Sequence, residues 1–244
     1  MKKLKYMLLM VIPVFFLLLT GCSKMSLSTT KKVYQADGLV AVVQGKAANY
    51  QKLTYTVNGQ TKKVVMDEGH FNISVPVATT DQNVRIKAVN GQKTETKLVK
   101  VKKAQALQDY LTFAQTYNYT LLSLGQPTDQ LQLISKDGVF THKKNDGTKW
   151  YYNVQNNQLM GIATKFSYKD LKSKTGQKNF ATDLMITSKL LGADGKQVLK
   201  DFSKQTKNAG KNSTKTSMSQ ITSKGINYNI NLTTKEFYLY ITKY

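Results

Sequence analysis

Between residues 33 and 103 apolar and polar positions alternate with a period of two. Phe71-x-Ile73-x-Val75 and Val84-x-Ile86-x-Ala88 show it most plainly, and such alternation gives a strand one apolar face. The pattern predicts short strands at Gly38–Gln44, Lys52–Val57, Lys62–Met66, His70–Val75, Asn83–Val89 and Thr94–Val101. Asn58-Gly59 and Asn90-Gly91 fall between them, and both residue types tolerate the positive φ of a tight hairpin turn. Closely spaced short strands of this kind predict a small antiparallel sandwich.

At Ala104 the period changes. Ala104, Leu107, Leu111 and Ala114, flanked by Tyr110 and Tyr117, fall on one helical face, and Gly125 and Pro127 close that region. Strands are expected again at Leu131–Ser135, Val139–Lys143, Lys149–Val154 and Leu159–Phe166. Asp137-Gly138, Asp146-Gly147 and Asn156-Asn157 supply the turns. Asn179–Leu191 predicts a helix with Phe180, Leu184 and Leu191 on one side. Asp194–Ala209 predicts another, with Asp194 and Gln197 as a capping box and Gly210 as its stop. Alternation in Gly225–Leu232 and Glu236–Thr242 predicts a last hairpin through Thr233-Thr234-Lys235. Residues 104–244 therefore read as an α+β domain, an antiparallel sheet with helices packed on one face.

The N-terminus reads as an address. Met1–Tyr6 carries Lys2, Lys3 and Lys5, and Met7–Leu19 follows as thirteen residues without a charge. A basic start and an apolar run shorter than the ~20 residues of a membrane span describe a signal peptide. The run ends in Leu19-Thr20-Gly21-Cys22. This resembles the lipobox of bacterial lipoproteins. The resemblance implies cleavage before Cys22 and a diacylglyceryl thioether on its sulfur. It also implies residence on the outer face of the cell membrane in a Gram-positive-type envelope. Residues 1–21 are then signal peptide and 22–32 a lipidated tether, because Ser23–Lys32 is rich in Ser, Thr and Lys and lacks periodicity.

A second resemblance covers residues 33–103. Val57-Asn58-Gly59, the run Gly69–Val77 and the run Val84–Gly91 are similar to the Ig-like β-sandwich modules of bacterial surface proteins. No Cys pair and no Trp occurs in this segment, so an antibody-type core is absent. Such modules serve as spacers or adhesive units, and fold alone assigns no function.

Composition narrows the chemistry. The 244 residues hold 36 Lys and Arg against 14 acids, a formal charge of +22, and Arg85 is the one arginine. A single Cys excludes a disulfide framework and a CxxC site. His70 and His142 are the two histidines; neither has Cys, His or paired acids near it in sequence, so both read as surface or edge residues. Asp67-Glu68 reads as a solvated turn. No phosphate-cradling loop, GxSxG elbow or HExxH is present. The expectation is therefore a non-enzyme with no catalytic residue, no metal and no cofactor.

Two surfaces remain. Trp150-Tyr151-Tyr152 and Phe237-Tyr238-Leu239-Tyr240 lie in expected strands, where alternate residues face opposite ways. Cross-strand aromatic pairing is favoured there, over a stacking surface for glycan or peptide built from Tyr151, Tyr238 and Tyr240. The second surface is basic. Lys165–Lys215 holds twelve lysines against Asp170, Asp183, Asp194 and Asp201. At 100° per residue Lys196, Lys200, Lys204 and Lys207 form one ridge, opposite Val198, Leu199 and Phe202. The ridge reads either as a solvated face or as a site for polyanions, meaning anionic cell-wall polymers or lipid headgroups. The scarcity of arginine disfavours specific nucleic-acid recognition. The function expected is a membrane-anchored extracytoplasmic lipoprotein with a binding or adhesion role at the envelope. The alternatives are an assembly factor or chaperone, and after that a cell-wall-active enzyme.

Overall fold

The computed structural model describes residues 24–134, 136–209 and 218–243. The lipobox with Cys22, and Gly210, lie outside the described residues. The chain is predominantly β, with antiparallel sheets and a smaller helical complement.

Two sheets come from the first hundred residues. One has the order β1 (Ser26–Thr29), β3 (Val40–Ala48), β7 (His70–Pro76), β6 (Met66–Asp67). The other has the order β2 (Val33–Tyr34), β9 (Lys93–Val101), β8 (Gln82–Asn90), β4 (Lys52–Val57), β5 (Gln60–Lys63), with β2 parallel to β9. Period-two alternation puts Ala41 and Val43 of β3 inside, with Phe71, Ile73 and Val75 of β7. Val84, Ile86 and Ala88 of β8 meet them in one apolar cluster between the two sheets. The hairpins follow the turn chemistry: Asn58 and Gly59 have φ of 49° and 75°, as the tight turn between β4 and β5 demands.

One expected feature is corrected here. Ser26–Thr29 is not spacer but a strand, paired antiparallel with Gly45–Ala48 of β3. Met25 and Leu27 alternate with Ser26 and Ser28 and are buried, so the segment has enough apolar surface to hold an edge.

The third sheet has the order β11 (Gly138–Lys143), β12 (Lys149–Gln155), β13 (Gln158–Ser167), β16 (Glu236–Thr242), β15 (Ile226–Leu232), β14 (Ile221–Ser223). A short β10 (Gln108–Asp109) pairs with β13. Among the described residues the α-helices are α1 (Tyr110–Ser123), α2 (Tyr168–Lys172), α3 (Lys174–Leu190) and α4 (Gly195–Ala209). Phe166 and Phe237 stack at 5.3 Å on the inner face of this sheet. Phe180 of α3 meets Phe166 edge-on at 4.8 Å and Phe202 of α4 at 4.7 Å, which docks both helices.

The helix expected from Ala104 starts six residues later. Asp109 takes the N-cap and its side chain accepts from Thr112 N at 2.8 Å, so the buried face is Tyr110, Phe113, Ala114, Tyr117 and Leu121. The strand expected at Leu131–Ser135 does not form over its described residues. Asn118 of α1 instead holds Leu131 by both backbone groups, at 2.6 and 2.9 Å, and Tyr110 Oη donates to Gln132 O at 2.7 Å.

The sandwich and the third sheet meet at a β-bulge. Register slips between Asn153 and Val154, leaving Met160 unpaired on the opposing strand. A bulge re-aims its extra side chain, and Met160 sits buried in the apolar cluster of the first two sheets. A Cβ on Gly161 would come within 2.8 Å of Leu39 Cδ2, so glycine permits this close approach. Residues 102–107 are hydrogen-bonded on both sides, with Lys102 N donating to Tyr34 O and Leu107 N to Leu159 O.

Candidate functional site

Three local structures converge on one polar cleft. The first is the β11–β12 turn. Gly147 N donates to Lys144 O at 3.0 Å, Lys144 N to Thr148 O at 2.9 Å, and Asp146 Oδ1 accepts from Thr148 N at 2.9 Å. Gly147 has φ of 85°, which a residue with a Cβ adopts only at a cost. The second is a 3-10 turn over Pro127–Asp129, where Asp129 Oδ1 accepts from Asn145 N at 2.8 Å and the Asn145 amide bonds Thr128 Oγ1. The third is α3, capped by Ser173 through Gly176 N at 2.9 Å. Asp183 falls between Phe180 and Leu184 on its buried face.

These elements bring Lys144 against Asp183. Its Nζ donates to Asp183 Oδ1 at 2.5 Å and stands 4.0 Å from Asp129 Oδ2. Lys144 is 5% exposed and Asp183 2%. Burying both ions costs heavily unless each is paired, yet Asp183 Oδ2 is enclosed without a hydrogen-bond partner. Burial pushes the Asp183 carboxyl up to about 6 although Lys144 opposes the rise, and the nearby charges of Asp146 and Asp129 add to it. Burial also acts on Asp146, but bonds from Thr148 and Asn179 outweigh it and hold that carboxyl below its usual range. Burial pushes the Tyr117 hydroxyl up, with Asp183 adding to it.

The cleft has a volume of about 460 Å³ and is lined on the α3 side by Lys178, Asn179, Thr182 and Asp183. It sets a buried ammonium with N–H groups to spare next to a buried acceptor. Convergent polar groups and a perturbed carboxyl are the features of a binding or active site. Among the described residues no group of three or more His, Cys, Asp or Glu is placed to hold a metal ion.

Sequence reasoning did not find this site. In the sequence Asp183 counts only as one of four acids in the lysine-rich segment 165–215, and Lys144 is not singled out. One signal was present: Asp183 lies three residues after Phe180 and one before Leu184, on the apolar side of its helix.

The other residues singled out separate. Lys196, Lys200 and Lys204 are exposed along α4, while Val198 and Phe202 are buried and Leu199 is half-buried. The Lys207 side chain and Cys22 lie outside the described residues. Asp194 Oδ1 accepts from Gln197 N at 3.1 Å, but the Gln197 amide turns to Asp201 at 2.9 Å, so the capping box is half-formed. His70 is exposed, with Nδ1 3.0 Å from Glu68 O. His142 is on the edge strand β11 but turned inward, and burial lowers its pKa against the pull of Asp129.

The aromatic expectation holds on one face of the sheet, where Phe237 stacks on its register partner Phe166. Register puts Tyr151, Ala163 and Tyr240 in one row across β12, β13 and β16, on the face opposite the phenylalanines. Ring contacts among the described residues run on the helix-covered face, through Trp150, Phe166, Phe180, Phe202 and Phe237, and do not join these tyrosines. The small Ala163 side chain between the two rings accounts for their separation.

No protein-family model matches the chain, and no curated protein matches it. Solved structures that resemble it in part include the endo-β-1,4-mannanase from Thermotoga petrophila, at 12% identity and a TM-score of 0.30, covering 34% of this chain and 20% of that one. A chimeric titin Z1Z2 matches at 16% identity and 0.26, covering 33% and 96%. Bacteroides uniformis β-glucuronidase 3 matches at 10% identity and 0.28, covering 60% and 18%. The chain thus spans about a fifth of the two enzymes. Likeness at this level carries no argument about function.

Proposed function

We propose that the chain is a lipid-anchored lipoprotein of the outer membrane face, an Ig-like sandwich carrying an α+β binding domain, and that it holds its ligand without turning it over. The cleft around Lys144 and Asp183 is the receiving site in this reading. The supporting observation is the cleft itself, about 460 Å³ and lined by Asp129, Asn145, Asp146 and Asn179 around the buried Lys144–Asp183 pair. Binding is favoured over catalysis because the buried Lys144 ammonium is held by Asp183 and so is not available as a nucleophile. The exposed lysines of α4 would add weak, salt-sensitive attraction for anionic wall polymers or headgroups.

The test is retention of soluble envelope material, teichoic polymer and peptidoglycan fragments, by the full chain in detergent micelles. Retained, intact material that is lost on Asp183→Asn supports the reading. Failure to retain anything overturns it. One observation favours the wall-active enzyme as a second reading: a carboxyl near 6 is in the range of a general acid. Cleaved fragments in the same experiment would select that reading.

A further inference from the structure

We propose a second binding site, on the face of the third sheet opposite its helices. The groove where that face meets the sandwich takes an oligosaccharide, with one sugar ring stacked on Tyr240. The site is independent of the cleft around Lys144 and Asp183, which lies on the α3 side.

Both halves of the chain build the groove. Register pairs Tyr240 of β16 with Asn229 of β15, and Tyr238 with Asn231. Alternation turns all four away from the phenylalanine layer. The other wall is residues 35–38, between β2 and β3, with Lys102 and Lys103 after β9. The space between is about 590 Å³, a size usual for ligand sites, which favour the meeting of two packed units. Gly38 has φ of 65°, and a Cβ there would come within 2.5 Å of Tyr240 Cδ1. The sandwich backbone thus braces the half-buried ring, which stands in place before a ligand arrives.

The polar groups of the lining choose the ligand. The side chains of Gln35, Asp37, Asn229, Asn231 and Tyr240 form no hydrogen bond with another described residue, and Lys103 Nζ forms no ion pair there. All of them are exposed or half-buried, so a ligand can reach them. Carboxamides offer donors and acceptors, a carboxylate only accepts, and an ammonium only donates. Hydroxyl groups do both, so a polyol satisfies the whole set. The tyrosine ring narrows the class further, because its negative π face attracts the polarised C–H bonds on the flat side of a sugar ring.

Other occupants fit worse. A strand-like peptide finds no free edge beside Tyr240, since β16 is paired on both sides, with β13 and β15. A helical peptide needs an apolar groove, and this lining is mostly amide and charge. A polyanion would meet Asp37, and Lys102 is already held by Asp81 at 3.4 Å. The tyrosine row also extends the site. Tyr151 stands two strands from Tyr240 across Ala163, about 10 Å at the usual strand spacing. A single sugar reaches one ring and a chain of sugars reaches both, so affinity should rise with chain length.

The full chain, in micelles of a detergent without sugar groups, is titrated by ligand-detected NMR. The probes are glucose, N-acetylglucosamine, cellotetraose, chitotetraose and a tetra-alanine peptide. At least one tetrasaccharide should bind, about tenfold more tightly than its monosaccharide. Tyr240→Ala should weaken it about tenfold, while Tyr240→Phe, which keeps the ring, should stay within about twofold. Asn231→Ala, at an exposed position, should weaken it several-fold and serves if Tyr240→Ala does not fold. Binding of neither tetrasaccharide would overturn the proposal. Equal losses in Tyr240→Phe and Tyr240→Ala would overturn the stacking. Unchanged binding in both alanine variants would overturn the site. Tighter binding of the peptide than of either tetrasaccharide would overturn the ligand class.

Discussion

Asn153 and Leu39, 114 residues apart, share a buried 2.9 Å hydrogen bond from the Asn153 amide to the Leu39 carbonyl. The second N–H of that amide reaches Val77 O at 2.8 Å, and its oxygen accepts from the Gln155 amide at 2.9 Å. One side chain, fully enclosed, thus closes the ends of β3 and β7 onto the third sheet. Asn153→Ala takes this partner from the Val77 carbonyl and the Gln155 amide, while Leu39 O keeps the Val77 N–H at 3.3 Å. At about 1–3 kcal/mol for each of these two groups, the expected loss is about 2–6 kcal/mol by urea denaturation. A loss below about 0.5 kcal/mol would mean that water replaces the bonds and the junction is loose.

Gly45 lies where β1 crosses β3. A Cβ there would run into Ser28 O and the Phe71 ring, one of them backbone and unable to move alone. Gly45→Ala should therefore detach β1, exposing Leu27, at a cost of about 1–3 kcal/mol. Hydrogen exchange should show Ser26–Thr29 losing protection before the rest of the sandwich.

Asp183 sets a pH dependence of its own. Its carboxyl titrates at an ordinary 3.8 when unfolded and near 6 when folded. Between those values the folded state keeps a proton that the unfolded state has released, so this group's contribution falls as pH rises from about 4 to about 6. Asp109 and Asp146 are held below 3.8, and their contribution is lost only at lower pH. Wild type should therefore lose stability relative to Asp183→Asn across pH 4 to 6. A constant difference over that interval would refute the raised carboxyl.

The α4 ridge predicts salt-sensitive adsorption. Replacing Lys196, Lys200, Lys204 and Lys207 by Glu should weaken binding to anionic vesicles while far-ultraviolet circular dichroism stays native, since the three described side chains are exposed. Wild-type adsorption should fall steeply from low to physiological salt, where the Debye length is about 8 Å. An unchanged isotherm would make the ridge a solvated surface only.

Cys22→Ser should release the protein to the medium or leave it as precursor. Processed protein that stays in the membrane fraction would rule out the lipid anchor.

Much of the sheet structure was legible because it is local. Glu236–Thr242 alternates cleanly and forms β16 with the expected bounds. Asn156 and Asn157 adopt φ of 50° and 59° as their turn required. What escaped depended on partners far away. Ser26–Thr29 is polar enough to read as spacer, and it is a strand because β3 offers a free edge. Leu131–Ile134 has strand-like residues, but the Asn118 side chain supplies its hydrogen bonds. The cleft was least legible, because Asp129, Lys144 and Asp183 belong to three elements that meet only in the folded chain. Asp183 alone was recoverable, as a charge on an apolar helix face.

The early start of β1 limits how far this molecule can reach. With lipid on Cys22, Ser23, Lys24 and Met25 span at most about 10 Å before the first strand. Asn49 fastens that end through Lys24 O at 3.1 Å. From there β3 runs nine residues, about 30 Å, to Leu39 and the Asn153 junction. On the proposal that Cys22 carries lipid, the sandwich would act as a short mast, with its foot at the bilayer surface and the cleft-bearing half at its head. A ligand of the cleft would then have to diffuse into a thin layer above the membrane.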